Sequence, residues 1–134
     1  MAQLADTIDL STLTDQEAAK VVSKTVVEWT AAITEVHPEC NHRDVRMLVD
    51  EFTTNALHGD EAVVHFFSLP DGSFLLASDD VEGCDHIDPR CSGHVGSRII
   101  TALAGASSYI LHQTNDRHYR GFLRIDPHGL ATAS

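Results

Sequence analysis

The stretch Val45 to Gly59, VRMLVDEFTTNALHG, has the pattern of a helix with two different faces. Its apolar residues recur at i, i+3, i+4 and i+7, which gives an α-helix one apolar stripe. They are Val45, Leu48, Val49, Phe52 and Ala56. Glu51 and Asn55 share another face, because four residues correspond to about 6 Å of rise and about 40° of rotation. Either the pair is the solvated side of the helix, or it is a polar site for a hydrated metal and a phosphate.

The segments after this helix have the pattern of strands. Two apolar runs, Ala62 to Leu69 and Ser73 to Asp79, are separated by the turn-forming tripeptide Pro70-Asp71-Gly72, which predicts a β-hairpin. Two further strands are predicted over Ser107 to Gln113 and Tyr119 to Ile125. The sheet is therefore expected to contain at least two hairpins.

The segments before the central helix begin with a short alternating stretch in residues 1–12, which fits either an edge strand or a flexible arm. Thr14 and Glu17 then have the spacing of a capping box, in which each residue satisfies a free N–H group at a helix start. The apolar periodicity that follows predicts a helix over Asp15 to Val36.

A third helix is predicted over Gly96 to Ala104, between the two hairpins. The order helix, helix, hairpin, helix, hairpin predicts one domain over residues 1–134, an α/β (α+β) two-layer sandwich. We expect a mixed, mostly antiparallel sheet covered on one face by about three helices.

The composition restricts the class of partner and the compartment. Nine Lys and Arg residues against 20 Asp and Glu residues give a formal net charge of −11, which argues against binding to DNA or RNA and favours a basic protein partner. No apolar run approaches the roughly 20 residues of a membrane span, and the first residues lack a signal-peptide pattern. Three cysteines are too few and odd in number for a disulfide scaffold, so we expect a cytoplasmic protein.

Two motifs together resemble a known family. LVDEFTTNALHG followed by FLLASDDVEG resembles the N box and the first glycine box of the GHKL (Bergerat-fold) ATPases. Within that superfamily the chain is most similar to the bacterial anti-sigma factors of the RsbW and SpoIIAB type, which are also serine kinases. The resemblance extends from about Leu13 to Ile125. It implies that the protein binds a sigma factor, binds a STAS-type anti-sigma-factor antagonist, and forms a homodimer.

The resemblance also implies roles for individual residues. Glu51 matches the glutamate that acts as general base, and Asn55 matches the asparagine that binds the Mg²⁺ of ATP. A carboxylate can accept a proton, and Mg²⁺ prefers oxygen ligands, so both residue types suit these roles. Asp79 matches the aspartate that binds adenine, Gly83 matches a glycine of the same box, and Gly96 matches a glycine of the second, phosphate-binding box.

The glycine boxes depart from the family pattern at several positions. Val81 and His94 stand where the first glycine of each box is expected, and glycine is used there because it permits φ > 0 and close approach of the backbone. The loop between the two boxes, Val81 to Val95, is shorter than a typical ATP lid. The threonine that helps to bind adenine in the family has no match near Arg120. These departures predict an anti-sigma factor with weak or lost kinase activity. An active serine/threonine kinase acting on the antagonist is the alternative.

The same loop contains a candidate metal site. Its cysteines and histidines have the spacing C-x-H-x4-C-x2-H, and they are Cys84, His86, Cys91 and His94. Nitrogen and sulfur ligands with local spacing suit tetrahedral zinc, which would make the chain a zinc- or redox-responsive interaction module. Ordinary loop residues with no metal are the other interpretation.

Overall fold

The computed structural model describes residues 2–57, 63–82, 109–115 and 118–126, with only the backbone described at 55–57, 79–82, 109–115 and 118–119. Its elements in chain order are β1 (Gln3–Asp9), α1 (Asp15–Val36), α2 (His42–Leu57), β2 (Val63–Ser68), β3 (Phe74–Glu82), β4 (Tyr109–Asn115) and β5 (His118–Ile125). Both helices and all four strands predicted in these ranges are present. The third predicted helix, 96–104, lies outside the described residues.

The five strands form one sheet in the order β1-β2-β3-β5-β4. Every pairing between these described strands is antiparallel, whereas the sequence predicted a mixed, mostly antiparallel sheet. The first segment, left open between a strand and an arm, is an edge strand paired with β2. The fold of the described residues is therefore α+β, with two helices and an antiparallel sheet.

Helix α1 begins at the predicted capping box. The hydroxyl of Thr14 accepts a hydrogen bond from the backbone N–H of Glu17 at 3.2 Å, and the Glu17 carboxylate accepts one from the N–H of Thr14 at 3.1 Å. Two of the N–H groups that a helix start leaves unpaired are thus satisfied. The buried face of the helix contains Trp29 and Ile33.

A stack of aromatic rings joins α1 to the sheet. The indole of Trp29 lies on the ring of Phe66 in β2, with centroids 4.9 Å apart, and Phe66 in turn stacks on Phe74 of β3 at 5.5 Å. The indole N–H donates to the carboxylate of Asp6 at 2.9 Å, so the buried ring keeps a partner for its polar atom. This hydrogen bond attaches the edge strand β1 to the helix layer.

The turn between β2 and β3 requires a glycine. Gly72 has φ = 88°, its N–H donates to the carbonyl of Leu69 at 3.1 Å, and the N–H of Leu69 donates to the carbonyl of Ser73 at 2.9 Å. These features match a three-residue hairpin loop whose last residue is left-handed. The ring Nε2–H of His37 donates to the carbonyl of Gly72 at 2.8 Å, so the end of α1 also contacts this turn.

Replacement of Gly72 by alanine should destabilise the domain by roughly 1 kcal/mol, because an L side chain is disfavoured in the left-handed region. A Cβ there would lie 3.4 Å from Nε2 of His37. The measurement is the urea midpoint. Gly72→Asn is the matched control, since asparagine tolerates this conformation better. If the alanine and asparagine variants lose equal stability, the contact with His37 is the cause, and the backbone explanation is wrong.

Candidate functional site

The site rests on helix α2, whose start is fixed by a side-chain cap. The side-chain oxygen of Asn41 accepts hydrogen bonds from the N–H groups of Arg43 at 3.1 Å and Asp44 at 3.3 Å. Four residues of the predicted apolar stripe are fully buried: Val45, Leu48, Val49 and Phe52. Thr53 is also fully buried, and its hydroxyl donates to the carbonyl of Val49 at 2.8 Å. The buried face of α2 is therefore confirmed.

Glu51 lies beside this buried face and is itself half-buried. Burial raises the pKa of the Glu51 carboxyl above its ordinary value, and the neighbouring carboxylate of Asp50 raises it further. Within residues 2–57, 63–82, 109–115 and 118–126, no hydrogen bond or ion pair joins the side chain of Glu51 to another residue. A carboxylate in this position makes the fold less stable at neutral pH, and such groups are frequent at functional sites.

Asn55 lies four residues further along the same helix, in its last turn. Because the helix is continuous from His42 to Leu57, the backbone positions of Glu51 and Asn55 have the predicted i, i+4 relation. Only the backbone of Asn55 is described, so the meeting of its amide with the carboxylate of Glu51 stays a prediction.

The end of α2 and one end of the sheet lie close together in the chain. Five residues lie between Leu57 and Val63, the first residue of β2, so the two Cα atoms are at most about 21 Å apart. The hydroxyl of Ser78 in β3 donates to the carbonyl of Val63 at 2.8 Å and is fully buried, which joins the start of β2 to the middle of β3. Helix α2 also packs on β2 and β3. Asp79 follows Ser78 at this end of the sheet.

Strand β3 is longer than the sequence indicated. It was predicted to end at Asp79 but continues to Glu82, and Val81 pairs with Tyr119 of β5. The resemblance had placed Val81 at a glycine position of a nucleotide-binding turn. In the structure this residue has a strand partner, an environment that suits a β-branched side chain and does not require glycine.

A β-bulge interrupts the β3–β5 ladder directly after Ser78. Asp79 and Asp80 together lie opposite a single residue of β5, Arg120, before the pairing resumes. A bulge bends the strand and changes the direction of the residues it contains, and bulges are common beside active sites. The sequence did not predict this bulge, and its only local signal was two consecutive acids at the predicted strand end.

Six of the predicted site residues lie outside the described residues. They are Gly83, Cys84, His86, Cys91, His94 and Gly96. The glycine boxes beyond Glu82 and the zinc hypothesis are therefore not tested. In the part of the chain that is described, no group of three or more His, Cys, Asp or Glu side chains could hold a metal ion.

Comparison with protein families, with curated proteins and with solved structures found no match to this chain. No helix within the described ranges is long and apolar enough to cross a membrane. The interpretation of the site therefore depends on its own residues and on the two motifs.

Substitution of Glu51 by glutamine should raise the urea midpoint at pH 7. In the parent protein the pKa of Glu51 is higher in the folded state than in the unfolded state. The protonated carboxyl therefore stabilises the fold below the ordinary pKa of glutamate, and this stabilisation is lost as the pH rises through the folded-state pKa. The difference in urea midpoint between Glu51→Gln and the parent should therefore grow between these two pKa values and stay constant at higher pH. Asp50→Asn, at the exposed neighbour, should give a smaller gain. A Glu51→Gln variant less stable than the parent at pH 7 would contradict the assignment.

Proposed function

We propose that this protein is an anti-sigma factor that binds and sequesters an alternative sigma factor in the cytoplasm, with weak or lost ATP-dependent kinase activity. The observation that carries the proposal is the pairing of Val81 with Tyr119 in the β3–β5 ladder. At this position the GHKL ATPases that the motifs resemble use a glycine, and the paired valine leaves the adenine side of the site without that glycine. The motif resemblance over most of the chain supplies the sigma-binding role.

The rest of the proposed architecture extends the described fold. Helix 96–104 would complete a layer of three helices on the face of the sheet that α1 and α2 already cover. The two-layer sandwich would then match the Bergerat-like arrangement. We further propose a homodimer and recognition by a STAS-type antagonist, since both accompany this type of anti-sigma factor.

The charge of the chain supports a sigma factor as the partner. Sigma factors carry basic surfaces that contact DNA, and a net charge of −11 attracts such a surface at long range. Exposed acids mainly raise the rate of encounter, whereas the desolvated apolar centre of an interface sets the lifetime of the complex. Sequestration would keep the sigma factor from RNA polymerase.

An active serine/threonine kinase is the second candidate, and Glu51 is the observation that favours it. A general base works best when its pKa lies near the working pH, and burial raises the pKa of Glu51 in that direction. Glu51 would accept the proton of a serine hydroxyl on the antagonist while the hydroxyl oxygen attacks the γ-phosphorus of ATP and ADP leaves. Asn55, one turn further along α2, would bind the Mg²⁺ of that ATP.

Calorimetric titration with Mg-ATP separates the two candidates. We expect no measurable heat, or a Kd weaker than about 100 μM, because the adenine side lacks its glycine. Asn55→Ala and Asp79→Asn should then change nothing. Submicromolar binding that either variant abolishes would establish the kinase instead.

Salt dependence of complex formation tests the binding function. Tagged chain purified from its native cell in low salt should carry a sigma factor. With the purified pair, the association rate should fall steeply as ionic strength rises while the dissociation rate changes little. Recovery of neither a sigma factor nor an antagonist protein would overturn the anti-sigma proposal.

A further inference from the structure

The solvent-exposed side of helix α2 begins with a group of basic residues. His42, Arg43 and Arg46 are all exposed. Arg43 and Arg46 are three residues apart, and His42 and Arg46 are four apart, so the three side chains share one face of the helix. We call these three residues the basic face. Positive charge is concentrated here in a chain whose formal net charge is −11.

The guanidinium groups of the basic face are not used within the fold. Among the residues that the structure describes, no side-chain hydrogen bond or ion pair reaches the guanidinium group of Arg43 or Arg46. Asp44 and Asp50, the carboxylates nearest to them in the sequence, form no ion pair with either arginine. Arg124 of β5, in contrast, is paired with two carboxylates. The charge of the basic face is therefore available to a partner.

The position of these charges opposes the stability of the helix. The start of an α-helix carries partial positive charge, so a cation in the first turn is unfavourable there. Arg43 is the second residue of α2 and Arg46 is the fifth. The helix start is capped by the side chain of Asn41, and no side chain of the basic face contributes to this cap. The contacts within the fold therefore give no reason for two arginines at these positions.

We propose that the basic face binds an acidic segment of a partner protein, with carboxylates spaced to meet both arginines. A guanidinium group can donate two parallel hydrogen bonds to one carboxylate. Carboxylates three or four residues apart on a partner helix would have the Cβ spacing of about 5–6 Å that Arg43 and Arg46 have. Met47, four residues after Arg43, is half-buried and adds an adaptable apolar contact at the margin.

The cap of α2 favours a protein surface over a single phosphate ion. Anion sites at helix starts depend on free backbone N–H groups. Here the N–H groups of Arg43 and Asp44 already donate to the side chain of Asn41, at 3.1 Å and 3.3 Å, and the N–H of Val45 donates to the carbonyl of Asn41 at 3.1 Å. A phosphate ion would therefore have mainly exposed side chains as partners. A protein segment can add a second carboxylate and an apolar contact.

The charge of the whole chain disfavours broader anionic partners. A nucleic acid or an anionic membrane would extend past the basic face and meet the remaining negative charge, which is felt over about 8 Å at physiological salt. A second copy related by a twofold axis through this face would place Arg43 and Arg46 against the same residues, since such an interface is self-complementary. The basic surface of a sigma factor would likewise be repelled here, so the acidic partner is a different one.

The probe is a fluorescent, helix-forming peptide of about 18 residues, with glutamates at three- and four-residue spacing. It should shift the side-chain Nε–H NMR signals of Arg43 and Arg46, and the same peptide with glutamines should not. By anisotropy, the double substitution Arg43→Glu and Arg46→Glu should weaken binding about tenfold, because two attractions become repulsions. Lys20→Glu with Lys24→Glu on α1 is the matched control, since both lysines are exposed and the charge change is equal. This control should have a much smaller effect.

The urea midpoint separates lost binding from lost structure. Negative charge at a helix start is favourable, so the midpoint of the doubly substituted Arg43 and Arg46 variant should not fall. A lower midpoint would show that the arginines have a structural role, and would overturn the proposal.

Other outcomes would also contradict the proposed partner. They are absence of peptide binding at millimolar concentration, equal effects of the arginine and lysine pairs, and binding of anionic vesicles through the two arginines. Inorganic phosphate that saturates the same NMR signals at a lower concentration than the peptide would indicate a simple anion site. A dimer that dissociates when the two arginines are replaced would show that a second copy covers the face. Binding of the sigma factor should not weaken in this variant, which keeps the two proposals separate.

Discussion

The buried stripe of helix α2 is the contact on which the rest of the structure depends. Val45, Leu48, Val49 and Phe52 have no exposed surface, and α2 packs against α1, β2 and β3. Full burial of such side chains contributes about 1.5–3 kcal/mol each, so rotation of the helix about its axis would be strongly unfavourable. The orientation of the polar face follows from that of the apolar face. The position of Glu51 is thereby fixed by residues that have no chemistry of their own.

Glu51 shows how a functional residue can oppose the stability of the helix that carries it. Its carboxylate is half-buried and lies beside the like charge of Asp50, and both features disfavour its charged form. Structural selection alone would favour a neutral residue here. The loss of stability is explained if the carboxylate acts as a general base, as in the kinase candidate.

Local sequence patterns predicted the elements of the fold well, and non-local contacts explain what they missed. The capping box of Thr14 and Glu17 and the periodicity after it predicted α1 with the observed limits. The edge strand β1 remained ambiguous because its attachment depends on Asp6 reaching Trp29, 23 residues away in the chain. The extension of β3 to Glu82 depends on pairing with β5, which no pattern within β3 contains.

The same distinction applies to the candidate site. The spacing of Glu51 and Asn55 is a property of one helix, and their relative backbone positions followed from the sequence. The bulge that holds Asp79 and Asp80 opposite Arg120 is a property of two strands that are far apart in the chain. Spacing alone could not indicate it. The consequence for Val81, a strand partner in place of a glycine turn, was equally invisible before the ladder was known.

The most direct test of the role of Glu51 is a titration of its own carboxyl carbon by ¹³C NMR in the folded protein, assigned by comparison with Glu51→Gln. Burial and the charge of Asp50 should give a pKa above the ordinary glutamate value. Replacement of Asp50 by asparagine should lower this pKa part of the way towards the ordinary value. A pKa at or below the ordinary glutamate value would show that the carboxylate is solvated or paired, and would contradict its assignment as the strained, functional group of α2.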